Sequence, residues 1–180
     1  MFKKKQILGV VTAGALIAAM VCSPASASIS LAITAGTLNF DGGAPAIGNF
    51  SGVTLNGTPQ LTSLTVDPFT VVDATGSGDG WNVLLTVPNL DDGAGHTIAS
   101  SNISMTAPVV TAAATSAMTG VAGHASAGGF NAGEKIVTAA ATDGAGTYLV
   151  APRILKLTIP VTTHAATYTS AATIATVDGP

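Results

Sequence analysis

Proton-transfer and metal chemistry in this sequence would have to come from His96, His124, His164, a single glutamate at Glu134, and eight aspartates. The histidines stand far apart, and none lies in an HExxH or paired-histidine pattern. Catalysis needs acids, bases and nucleophiles that converge with matched pKa values. His124-Ala125-Ser126-Ala127-Gly128 has the outline of a nucleophile elbow, but histidine occupies the position where GxSxG needs glycine for its strained turn. The loop Asp73–Gly80, Asp-Ala-Thr-Gly-Ser-Gly-Asp-Gly, offers two carboxylates and backbone carbonyls as hard oxygen donors for calcium. It lacks the repeated acidic positions and closing glutamate of an EF-hand, so it reads as a glycine-rich hairpin with aspartate caps. The expectation is a protein with no catalytic residues, no cofactor and no metal.

The elements that must hold these residues follow from composition. Of 180 residues, 47% are hydrophobic and only 8% charged, which excludes an intrinsically disordered chain. The first residues have a different character. Lys3-Lys4-Lys5 precede the apolar run Ile7–Cys22, and Ala25-Ser26-Ala27 supplies small residues at a cleavage site, the pattern of a secretory signal peptide over residues 1–27. A retained membrane anchor is the competing reading. The run is short for a span of about 20 residues and breaks into Ser and Pro. Val21 ahead of Cys22 does not fit a lipoprotein signal.

Removing 27 residues leaves 153, with Lys135, Arg153 and Lys156 against nine acids, a formal charge of −6. No basic stripe with interleaved aromatics is present, so nucleic acid is not expected as a partner, nor is a membrane once the leader is gone. The remaining chain has no cysteine, so an exported form must be stabilised by core and sheet alone. The sequence closes on Asp178-Gly179-Pro180 without an LPxTG-like signal, and surface retention is expected to be non-covalent.

After residue 28, Thr, Ser, Ala, Gly and Val dominate, while helix-forming Leu, Lys and Glu are sparse. Strands are expected at 28–34, 37–40, 52–55, 60–66, 69–73, 81–87, 97–105, 134–142, 147–150, 153–159 and 167–177. Asx-Gly steps such as Asn56-Gly57 and Asp143-Gly144 separate them as hairpin turns. The low-complexity interval 107–133 is read as a strand near Val109–Thr115 followed by a long loop. The fold class that results is all-β, a single antiparallel β-sandwich over residues 28–180, immunoglobulin-like or jelly-roll-like.

Trp81 is the one tryptophan, and it opens the most strand-like run in the sequence. Residues 81, 83, 85 and 87 share one face, as a sandwich core stripe would require. Residues 71–87, VVDATGSGDGWNVLLTV, resemble the first signature of the WxL domain of Gram-positive surface proteins: a strand ending in Asp, a glycine-rich turn, then Gly-Trp-x-Leu. Residues 144–180 are similar to that family's closing segment, with Ile159-Pro160 before a loop and a final Tyr-to-Pro strand in which Tyr168, Thr173 and Pro180 fall in place. Val83 stands where the family has Leu. Ala172, Ile174 and Thr176 replace an aliphatic residue, the second Trp and a Leu, so the second motif is degenerate.

The resemblance implies a secreted, non-enzymatic protein of the cell surface that associates non-covalently with the cell wall, through peptidoglycan, and with other cell-surface proteins. It implies wall contacts at Trp81, Val83, Tyr168, Ile174 and Pro180. The alternative reading is a subunit of an extracellular fibre, appendage or matrix assembled by strand pairing, with 28–34 available for exchange.

Overall fold

A computed structural model describes residues 30–113 and 115–179; the expected signal peptide and Pro180 lie outside them. The chain divides into residues 1–33 and a unit over Thr34–Pro180, to which every element below belongs. In chain order the strands are β1 Leu38–Asp41, β2 Gln60–Val66, β3 Phe69–Asp73, β4 Trp81–Thr86, β5 Leu90–Asp91, β6 Thr97–Ile98 and β7 Ile103–Met105. They continue as β8 Val110–Ala112, β9 Val121–Gly123, β10 Ser126–Ala127, β11 Glu134–Ala139, β12 Gly146–Val150, β13 Arg153–Ile159 and β14 Thr173–Asp178. Two short 3₁₀ turns, Ser100–Asn102 and Phe130–Ala132, are the only helical elements among the described residues. The fold is all-β and antiparallel, with its sheets packed around one core, as the composition predicts.

One layer is built from two four-stranded sheets in the orders β1-β3-β12-β8 and β10-β7-β13-β2. They are successive stretches of the same three strands, joined in one register. Val66 faces Arg153, and three residues further along both strands Phe69 faces Val150, so the register crosses the break without a slip. The third strand crosses likewise, since Met105 pairs with Leu155 and Val110 with Val150. Pro68, Pro108 and Pro152 all fall in the gap. A proline has no N–H to give a ladder, so prolines on three adjacent strands at one level interrupt the hydrogen bonding there.

The second layer is β14-β4-β11-β9, with β5 and β6 forming a small separate ribbon. Strict alternation builds the core between the layers. Leu64 and Val66 from β2, Leu155 and Leu157 from β13, and Trp81, Val83 and Leu85 from β4 point inward and are buried. On β11 the register shifts between Lys135 and Val137. This bulge places Ile136 and Val137 both in the core, which alternation alone would forbid.

Several expectations are corrected. Ser30–Thr34 is in no strand, and Ser28 and Ile29 lie outside the described residues. Gly52–Leu55 is unpaired because the chain ahead of it, Ala46–Ser51, already covers the free edge of β2: Gly48 N–H donates to Thr65 O at 2.9 Å and Asp67 N–H to Ala46 O at 3.0 Å. The expected 97–105 strand is cut by the Ser100–Asn102 turn, where Ser100 N–H donates to Asn89 Oδ1 at 2.9 Å. The 109–115 strand shrinks to β8, and the expected long loop after it contains β9, β10 and the Phe130 turn, whose ring is fully buried. Small residues there pair by backbone bonds rather than by a legible apolar pattern. The last strand starts at Thr173, not 167, and β11 ends at Ala139.

Candidate functional site

Among the described residues, those singled out by motif do not form one surface. Trp81 and Val83 are 0% exposed. The Trp81 indole N–H donates to Gly144 O at 2.9 Å, and its ring sits 5.6 Å from that of Tyr148 across the core. The partly exposed edge that a wall-binding tryptophan requires is therefore missing. Gly80 explains the Gly-Trp pair: its φ is +75°, and a Cβ there would come within 2.4 Å of Ala139 O. Ile174 is half-buried against the core from β14. Tyr168 is half-buried at the other end of the molecule, its hydroxyl donating to His164 O at 3.1 Å.

Tyr168 stands on the lip of a groove of about 640 Å³ at the open end of the sandwich. Leu90, Ile98, Leu157 and Ile159 make its floor, Gly52–Leu55 one wall, and Thr163–Thr167 the other. No charged carboxylate, lysine or arginine lines it. The second wall is held in place by a reciprocal backbone pair, Asp91 with Thr169 at 2.9 Å each way, and by the His164 ring stacked on His96 at 4.0 Å. His96 Nδ1 lies 2.6 Å from Asp92 Oδ2, whose side chain is 3% exposed. The hydrogen bond from His96, with backbone N–H groups of Ala94 and His96, holds the Asp92 carboxyl at about 2, below its usual 3.8. This Asp92–His96–His164 array escaped the sequence reading because its histidines are far apart in the chain; the Asp92-x-x-x-His96 spacing was the available signal.

The other chemical candidates are engaged locally. His124 Nε2 meets Thr138 Oγ1 at 2.8 Å, while Ser126 Oγ donates to Gly128 O at 2.7 Å, so the elbow-like pair is not joined. The Asp73 carboxylate accepts from the N–H and hydroxyl of Thr75 at 3.0 and 2.7 Å, an Asx turn. Tyr148 is raised above its ordinary pKa by burial first and by Asp73 and Asp143 second. Among the described residues no group of three His, Cys, Asp or Glu could hold a metal ion.

A second concavity, about 610 Å³, lies along β7, β10 and the start of β13. Arg153 and Lys156 line it with Ser104, Thr106, Ser126 and Ile154. Around it the solvent face of β2 and β13 carries Leu61 and Ile154, 65 and 52% exposed, among Ser63, Thr65 and Thr158. Neither cation forms a salt bridge among the described residues, and Arg153 Nε is buried without a partner.

No protein-family model, curated protein or solved structure in the comparisons matches this chain.

Proposed function

We propose that this chain is a secreted, non-enzymatic surface protein that associates non-covalently with the Gram-positive cell wall, through peptidoglycan. The observation that carries the reading is the face around this second concavity. Two of the three cations present after residue 27, Arg153 and Lys156, line one concavity with serine and threonine hydroxyls and exposed Ile154. Such a face suits a polymer of sugar hydroxyls and peptide stems: hydroxyls and lysine bond oxygens, apolar side chains cover sugar faces, and the guanidinium pairs with a stem carboxylate. The rest of the chain is acidic, so attraction is local to this face rather than general. The WxL resemblance supports the same reading through the order of its motifs, with Trp81 serving the fold.

Fractionation of cells into medium, wall and membrane tests it. Lys156→Glu and Arg153→Glu should move folded protein from wall to medium, and about 1 M salt should extract part of the wild type by screening. Wild-type retention of a correctly folded double variant would sink the reading.

A further inference from the structure

Ser28–Thr34 reads Ser-Ile-Ser-Leu-Ala-Ile-Thr, so an extended conformation places Ile29, Leu31 and Ile33 on one face. Leu31 and Ile33 are 84 and 87% exposed, the highest values among the large hydrophobic side chains described. The end groove offers what such a segment lacks. Its floor is Leu90, Ile98, Leu157 and Ile159, and its walls are two stretches of irregular backbone. Among the described residues, the N–H and C=O groups of Gly52–Leu55 make no intramolecular hydrogen bond, nor do those of Ala165–Thr167. An extended peptide laid between them would pair with free backbone while its alternate side chains met an apolar floor, which is strand addition.

The connectivity of the chain favours a second copy as the donor of that peptide. The chain ahead of β1 is tied at Gly36, whose N–H donates to Ala74 O at 2.8 Å, beyond the end of β3. The groove begins at Thr62 on β2. Ala74 lies twelve residues along the chain from Thr62, whereas Leu31 and Ile33 are five and three residues from Gly36, about 18 and 11 Å at full extension. We propose that Ser28–Thr34 of one copy docks in the end groove of the next, between Gly52–Leu55 and Thr163–Thr167. Because donor segment and acceptor groove are different surfaces, the contact is heterologous and joins copies head to tail into an open chain. The inference is independent of wall binding, which uses the concavity along β7, β10 and the start of β13, and rests on the expected release of Ser28 as the N-terminus.

A synthetic SISLAIT peptide titrated into the full chain tests the groove alone. Saturable binding with a Kd of about 100 µM or tighter is expected, lost when the peptide carries Asp at the Leu31 and Ile33 positions and lost in the Thr167→Arg protein. No saturation up to about 1 mM, or equal binding by the acid-substituted peptide, overturns the proposal. Sedimentation of protein exported by cells, its N-terminus fixed by mass spectrometry, then tests assembly. Wild type should form concentration-dependent chains, and Leu31→Asp/Ile33→Asp should stay monomeric. That variant mixed with Thr167→Arg should form dimers that grow no further. Wild-type monomers beginning at Ser28 at about 1 mM would overturn it; a retained leader leaves the peptide titration to decide.

Discussion

The indole N–H of Trp81 and the carbonyl of Gly144 meet at 2.9 Å across 63 residues of chain, joining β4 to the turn ahead of β12. The turn can approach only because residue 144 has no side chain: a Cβ there would lie 2.7 Å from the indole nitrogen and 2.4 Å from the Ala139 methyl, at a φ of +84°. The tryptophan that most resembles a recognition residue in the sequence is thus the central strut between the two layers.

Trp81→Phe keeps a ring in the core but leaves the Gly144 carbonyl buried without its donor. The expected loss is about 1–3 kcal/mol, rising to about 3–5 kcal/mol for Trp81→Ala, where a cavity is added. Urea denaturation measures both. A loss under about 0.5 kcal/mol for the alanine variant would contradict the core assignment.

Gly144→Ala should be destabilising by a comparable route, about 2–4 kcal/mol from left-handed strain and overpacking together. Gly42→Ala is the useful contrast. It also has positive φ, +80°, but nothing lies within 4 Å of its added methyl, so only the backbone cost of about 1–2 kcal/mol remains. Equal losses at the two sites would show that crowding around Trp81 is not the cause.

Asp92 sets an acid limb on stability. Its carboxyl ionises at a lower pH in the folded chain than in the unfolded one, so the unfolded state binds more protons between the two values. The contribution is complete above the ordinary value of 3.8 and is lost as pH falls through about 2. Asp92→Asn should flatten the stability-versus-pH curve over that window, and carboxyl chemical shifts should titrate near 2 in wild type. A titration midpoint near 4 would mean that the His96 contact does not persist in solution.

Asn82 ties down the final strand. Its amide Nδ2 donates to Gly179 O, and Gly179 N–H donates to Gly80 O at 3.0 Å, one step beyond the Trp81–Asp178 pair. Asn82→Ala should cost about 1 kcal/mol and speed amide exchange in β14 more than in β13. Uniform acceleration across both strands would instead indicate a global effect.

Sequence alone determined the β class and the placement of β2, β3 and β13, because period-two alternation between Asx-Gly turns has no helical counterpart. The expected bounds of β2, β3 and β13 coincide with those observed. Sequence also isolated Trp81 and the apolar alternation of Ser28–Thr34. It could not decide what covers what. Gly52–Leu55 has strand composition but no partner, since Ala46–Ser51 already occupies the β2 edge; β9 and β10 have almost no strand composition yet are paired. Edge occupancy, the row of prolines that divides the ladder into two sheets, the stacking of His96 on His164, and the burial of the tryptophan all depend on residues distant in the chain. Those contacts arise when register and layer packing are set together, and no local pattern of residues encodes them.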